Sequence, residues 1–324
     1  MFSMHNSKQQ LRVLITGGGG AGSEMLWKLW KDKYNLFFAD EVISKIHPSI
    51  PYSRRIVVPK GSEPDFIDRV FLVVREFSID VIISQVDEEL LAIASNLDSL
   101  APTISLTPQA TFVELFLDKY ASGLSLSANR IQEPETRLLG PTTLFENVPL
   151  LIKPRFGRGS RNIFKVNNVN EFDSLRAYLS TFQDEFVCQN MIEGKEFSVQ
   201  MLATMSGALR SIVPVLINSK IGSTTSGRIC NNELIIGICE EFHSKYSPKG
   251  TYNIQLMLES ASKTPHIFEV NPRVSTTMCL GVFGGVDPIE IFLQSDGSTS
   301  RKIVQDDIAL QRYWGNYIFE SVQP

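Results

Sequence analysis

Leu150-Leu151-Ile152-Lys153-Pro154-Arg155-Phe156-Gly157-Arg158-Gly159-Ser160-Arg161-Asn162 is an apolar run that ends in a lysine and opens into a loop with two glycines and three arginines. The run reads as a strand, Ile163 to Val166 as a second strand, and Val169 to Phe182 as a helix. The glycines therefore sit in a hairpin-type loop and not where a strand enters a helix. Glycine amides beside guanidinium charge suit the wrapping of a polyphosphate. Taken alone, the same loop also suits a solvated basic hairpin.

Upstream, Leu11 to Thr16 is a β-branched apolar run that ends in Gly17-Gly18-Gly19-Gly20-Ala21-Gly22, and Met25, Leu26, Leu29 and Trp30 then fall on one helical face. Strand-like runs at Asn35 to Ala39 and Asp80 to Ser84 flank an amphipathic Phe66 to Phe77. This half predicts an open parallel α/β sheet ending near Thr107-Pro108. Gly17-x-Gly19-x-x-Gly22, with Asp40 eighteen residues on, has the spacing of a dinucleotide fingerprint. The same glycines also serve close helix-to-strand packing, so a dinucleotide-dependent oxidoreductase stays open as a second class of function. Asp87 and Glu88 follow the third strand at the carboxyl edge, where open sheets bind ligands, and equally suit the start of a helix.

A helical pattern from Pro108 to Tyr120 closes on Asp118-Lys119, and the polar stretch Ser122 to Arg137 follows. Beyond the glycine loop come strands at Glu185 to Asn190, Lys195 to Thr204 and Leu209 to Ile217, a helix near Glu233 to Tyr246, and strands at Tyr252 to Leu258 and His266 to Val270. This later half predicts α+β structure with an antiparallel sheet. Lys220 to Arg228 is polar and aperiodic and reads as a loop, with Arg228 the candidate for pairing with a substrate carboxylate. On adjacent antiparallel strands Gln255 would face Glu269 and Asn271, whose i, i+2 spacing sets both on one face. One carboxylate and two amides suit a magnesium ion that takes its other ligands from water and phosphate.

The chain has 324 residues, 43% hydrophobic and 20% charged, enough for two or three domains with real cores. Thirty-one Lys and Arg against 35 Asp and Glu give a net charge of -4, which leaves no basic excess for nucleic acid. Cys188, Cys230, Cys239 and Cys279 lack paired spacing and the four histidines are scattered, so no zinc site or disulfide framework is written here. The first apolar stretch is too short for a signal segment or a membrane span, and a cytoplasmic location is expected.

In their order and spacing, Ile152-Lys153-Pro154-Arg155-Phe156-Gly157-Arg158-Gly159-Ser160-Arg161, Gly250-x-x-Asn253-x-Gln255 and Glu269-x-Asn271-Pro272-Arg273-Val274-Ser275 resemble the ATP-grasp superfamily, and within it the large chain of carbamoyl phosphate synthetase. Asp118-Lys119 and Pro134-Glu135-Thr136 extend the likeness. The resemblance implies an open parallel α/β domain over residues 1–107, a first grasp lobe over 108–187 with the phosphate loop, and a second lobe over 188–324 with the metal site. It implies that Lys119 and Lys153 contact ATP phosphates and that Gly157, Arg158, Gly159 and Ser160 belong to the loop that closes over them. Gln189, Asn190, Met191 and Ile192 match the adenine-reading hinge, and Glu196 the acid that holds the ribose. Gln255, Glu269 and Asn271 match ligands of Mg²⁺, with Mn²⁺ as the alternative, and Arg273 the cation at the transferred phosphoryl group.

The implied activity is ATP-dependent ligation of a small carboxylate to an amine through an acyl phosphate. Carboxyl phosphorylation without ligation and a non-catalytic ATP-binding module are its alternatives. Thr276 stands where the synthetase pattern continues with an arginine, and only one grasp unit is present, which speaks against carbamoyl phosphate synthesis. Partners are expected to be small molecules, with no nucleic acid or membrane and a homodimer left open.

Overall fold

The computed structural model describes residues 10–140, 143, 149–159, 161–182, 185–294, 301–313 and 315–316. The chain divides into two compact units between Leu106 and Thr107. In the first, β1 (Arg12–Thr16), β2 (Asn35–Asp40), β3 (Arg55–Val57), β4 (Val81–Ser84) and β5 (Ile104–Ser105) form a parallel sheet ordered β3-β2-β1-β4-β5. Val13, Leu14 and Ile15 are fully buried, as a strand covered on both faces requires. Helices α1 (Ser23–Trp30), α2 (Phe66–Glu76), α3 (Asp87–Ala94) and α4 (Leu97–Leu100) belong to this unit. Here the expected open α/β sheet is present, with two edge strands too short to leave a sequence pattern.

The second unit begins with α5 (Ala110–Leu117) and α6 (Lys119–Ala128), then β6 (Thr136–Leu138), β7 (Leu150–Pro154), β8 (Phe164–Val166), α7 (Val169–Leu179) and β9 (Phe186–Asn190). The four strands pair antiparallel in the order β6-β9-β7-β8, so β9 carries this sheet through the expected lobe break at residue 187. Next come β10 (Gly194–Ala203), β11 (Leu209–Ile221), β12 (Ser223–Ile229), α8 (Glu233–Tyr246), β13 (Thr251–Glu259), β14 (Pro265–Asn271), α9 (Met278–Phe283), α10 (Pro288–Phe292) and β15 (Ala309–Gln311). Six of these strands form a sheet ordered β14-β13-β10-β11-β12-β15.

Strict alternation gives this larger sheet two unlike faces. Phe197, Val199 and Met201 of β10 and Tyr252, Ile254 and Leu256 of β13 are buried in a core with Phe112, Phe116, Ile235, Cys239 and Phe242 of α5 and α8. Ser198 and Gln200, with their cross-strand partners Gln255 and Asn253, point the other way. His243, inside the core, is satisfied by the Tyr252 hydroxyl at 2.8 Å and the Gly207 carbonyl at 2.9 Å, and burial lowers its pKa. It is a structural histidine.

Two expectations need correction. The helix expected over Pro108 to Tyr120 is two helices, broken at Asp118, whose extended backbone and carboxylate cap the second. Lys220 to Arg228 is no loop: the chain continues in β11 to Ile221, turns at Gly222 and returns as β12. The hairpin end carries polar residues on both faces, so no alternation marks it.

Candidate functional site

The site begins at Asp118. Its Oδ1 accepts from the Tyr120 and Ala121 amides at 2.9 and 3.1 Å, the capping geometry that starts α6. The same carboxylate takes a two-pronged hydrogen bond from Arg155, Nε to Oδ1 at 2.9 Å and Nη2 to Oδ2 at 2.5 Å. Burial pushes the Asp118 carboxyl up, but Arg155 and the two amides outweigh it and leave the pKa below the ordinary value. The Lys119 amide donates to the Arg155 carbonyl at 3.1 Å, and Lys119 Nζ to the Gly157 carbonyl at 2.6 Å. Asp118-Lys119 and Arg155 to Gly157 are thereby clamped together. Gly157 (φ +115°) and Gly159 (φ +72°) take conformations that side chains resist, which frees the loop to turn sharply. Arg158 lies in the same loop, and Ser160 falls outside the described residues.

Lys153 leaves β7 from the inner side of the sheet and is 4% exposed. Its ammonium donates to Gln189 Oε1 at 2.8 Å and the Phe268 carbonyl at 3.4 Å, and lies 5.6 Å from the Phe268 ring centre. Burial lowers its pKa to about 8, with Glu269 acting against the shift and Lys119 and Lys220 adding to it. Gln189, expected as a hinge residue, thus turns its side chain onto Lys153, and its Nε2 donates to Thr136 Oγ1 at 2.8 Å. Beyond it, the Asn190 amide donates to the Glu135 carbonyl and the Met191 amide to the Pro149 carbonyl. Ile192 continues toward β10, where both oxygens of Glu196 meet Lys220 Nζ at 2.7 Å.

On β13 and β14 the register places Gln255 opposite Glu269 and Asn253 opposite Asn271. The four side chains form a square on the polar face. Leu256 pairs with Ile267, so Phe268 is one residue more than β13 can match, a β-bulge that offers its carbonyl to Lys153. Glu269 is 3.4 Å from Lys119 Nζ, which draws the expected metal carboxylate, the expected phosphate lysines and the glycine loop into one cluster. Arg273 folds back, its Nη2 donating to Asn271 Oδ1 at 3.3 Å and its Nη1 to the Val274 carbonyl at 3.1 Å.

Asn253 was present in the sequence motif without a role. The structure gives it one corner of the square, with its Nδ2 donating to Ser198 Oγ at 3.0 Å and the Val199 carbonyl at 3.1 Å. Asn253 Oδ1 and Asn271 Nδ2 are buried and have no hydrogen-bond partner in the structure. Gln200 Oε1 accepts from the Ser275 amide at 2.9 Å and Ser275 Oγ meets Thr277 Oγ1 at 2.7 Å, pinning the Pro272 to Thr277 segment to the sheet. Among the described residues no three His, Cys, Asp or Glu side chains converge as a metal site. One carboxylate, the amide oxygens of Gln255 and Asn271 and the buried, partnerless Asn253 Oδ1 fit a hard cation that arrives with a polyphosphate.

Three expected residues stand on other elements. Arg228 pairs across the sheet with Leu216, and Leu216 with Phe197, so it stands on the core face and the structure does not bring it to Glu269. A one-residue offset along a strand is enough to reverse the side. Asp87 and Glu88 lie in the first turn of α3, in the other unit. In that unit Asp40 Oδ2 accepts from the Gly19 amide at 2.8 Å and Oδ1 from the Val42 amide at 3.3 Å, so the carboxylate of the dinucleotide-like spacing closes its own glycine loop.

The fold is shared with an L-amino acid ligase from Bacillus licheniformis (TM-score 0.61, 17% identity, 85% of this chain and 70% of that one). It is shared also with an N5-carboxyaminoimidazole ribonucleotide synthetase in complex with ADP (0.67, 14%, 87% and 76%) and a biotin carboxylase from Campylobacter jejuni (0.64, 13%, 88% and 70%). No curated protein sequence matches the chain. A family model described as ATP-grasp domain matches residues 116–277, half of the chain, and spans the capped lysine, the glycine loop and the two-strand square. By that match the chain belongs to the ATP-grasp family.

Proposed function

We propose that the protein is an ATP-dependent ligase that joins a small carboxylate to an amine through an acyl phosphate, releasing ADP and phosphate. The observation that carries this reading is the meeting of Lys119 with both the Gly157 carbonyl and Glu269, beside the buried ammonium of Lys153. Lysines in a dry cleft are matched to a polyphosphate, whose charge repays their desolvation. In the first step a carboxylate oxygen of the substrate attacks the γ-phosphorus and the bond to the ADP oxygen breaks. In the second the amine attacks the acyl carbon, the bond to the phosphate oxygen breaks, and the amine's proton passes to solvent.

No side chain need act as nucleophile. Lys119 and Lys153 hold the phosphates and offset their charge, the glycine loop covers them, and Arg273 is the cation for charge that develops on the moving phosphoryl group. Mg²⁺, held by Gln255, Glu269 and Asn271, would neutralise phosphate charge when bound. Gln255 and the Asn271-Pro272-Arg273-Val274-Ser275 run support a subtype near the carbamoyl phosphate synthetase large chain, while Thr276 argues for a different carboxylate. Parallel calorimetric titrations with Mg-AMPPNP and with NADH test the reading. Saturable binding of the ATP analogue alone is expected; binding of the dinucleotide alone would overturn it.

A further inference from the structure

Glu196 is the acid assigned to the ribose hydroxyls, and Lys220 already sits on it. The ammonium lies 2.7 Å from Oε1 and 2.7 Å from Oε2, so both carboxylate oxygens face the same cation. A ribose diol needs those two oxygens as its acceptors. The two ligands therefore compete for one seat.

Lys220 is placed to do more than block. It lies at the end of the β11–β12 hairpin, paired with Thr224 one step before the Gly222 turn. Gly222 has φ +68°, and a Cβ built there would lie 3.5 Å from the Gly159 carbonyl, so the hairpin tip rests against the phosphate loop of the opposite lobe. The charge of Lys220 is also felt at Lys153, whose ammonium it helps to discharge. Its side chain is 39% exposed, a flexible four-carbon stem in a half-solvated ion pair, which is a weakly held arrangement. It can leave Glu196 without unfolding anything.

We infer that Lys220 sets the nucleotide specificity of this cleft: it competes with the ribose for Glu196 and, once displaced, joins Lys119 and Lys153 on the polyphosphate. The inference rests on the ATP-site reading above and adds to it a means of choosing. A nucleoside without phosphates must evict Lys220 and offers it nothing in return. A nucleoside triphosphate evicts the same ammonium and supplies phosphate oxygens as a better partner.

The test is calorimetric titration of the parent protein, Lys220→Met and Lys220→Arg with adenosine and with Mg-AMPPNP, adenosine being read by displacement of the analogue where its own heat is small. In Lys220→Met, adenosine should bind about two- to fivefold tighter, since an exposed ion pair no longer has to be broken. Mg-AMPPNP should bind about tenfold weaker, for want of one charged hydrogen bond to phosphate. Lys220→Arg should keep the parent's order of affinities. A shift of both ligands in the same direction, or of neither, would overturn the inference while leaving the ATP site standing. Absence of Mg-AMPPNP binding by the parent would instead remove the ATP site itself, and the inference with it.

Discussion

Asp118 and Arg155 are 37 positions apart, yet one carboxylate both caps α6 and receives two nitrogens of the guanidinium. Lys119, the first residue of the helix, is thereby fixed over the loop it contacts. Asp118→Ala removes the cap and leaves Arg155 with Glu185 as its carboxylate partner, at a combined cost of about 2 kcal/mol. A fall in Tm of about 4–8 °C at pH 7 is expected, with weaker Mg-AMPPNP binding. Because the folded Asp118 pKa is lowered, its contribution is full above the ordinary carboxylate value and disappears as pH falls through the lower folded one. The difference in Tm between parent and variant should therefore narrow below about pH 4; a constant difference would show that the charge of Asp118 contributes nothing.

Lys153 illustrates a stability cost at a binding site. Its pKa falls to about 8 in the fold, so the folded state gains stability as pH rises from about 8 toward the unfolded value of 10.5 and lacks it below 8. Lys153→Met should gain up to about 3 kcal/mol at pH 7 from the lost charge, less what the abandoned acceptors Gln189 and Phe268 cost. Mg-AMPPNP binding should meanwhile fall by at least tenfold. Denaturant titration and calorimetry on one sample check both halves, and a variant that is less stable than the parent would refute the first.

Glu133 behaves in the opposite sense. Burial raises its carboxyl to about 7, Thr136 partly opposing this and Glu135 adding to it. Its stabilising effect is present below the unfolded value of 4.5 and is lost as pH rises through 7. Glu133→Gln should flatten the decline of Tm between pH 5 and pH 8, and unchanged slopes in the two proteins would contradict this.

Glu269→Ala should abolish turnover and, read independently of activity, remove the dependence of AMPPNP affinity on Mg²⁺ concentration. The lost carboxylate also withdraws support from the Lys153 ammonium, so nucleotide binding should weaken more steeply with rising pH than in the parent. A variant whose AMPPNP affinity still rises with Mg²⁺ as in the parent would end the metal assignment.

Much of the site was legible because strands advertise themselves by alternation. Gln255, Glu269 and Asn271 share a face by spacing alone, and the register bears out that they do. Arg155 stands within the glycine-loop motif, but nothing local discloses that its partner lies 37 residues away. The β11–β12 hairpin escaped because its end has Ser and Thr on both sides, which removes the contrast that marks a strand. For the same reason the face on which Arg228 stands could not be read from the sequence: without a strand there is no side to assign. The glycine loop of the first unit has the spacing of a cofactor motif, and the structure shows Asp40 accepting the Gly19 amide, a contact no spacing discloses.

The surplus residue in β14 has a last consequence. On either side of Phe268 the pairing with β13 is in phase: Ile267 meets Leu256 and Glu269 meets Gln255. Excising Phe268 would therefore leave a regular ladder with the oily and polar sides undisturbed, while depriving Lys153 of a carbonyl and an aromatic ring together. Any substitution there keeps the carbonyl and forfeits only the ring. In this strand a deletion would spare the ladder and be felt at the Lys153 ammonium.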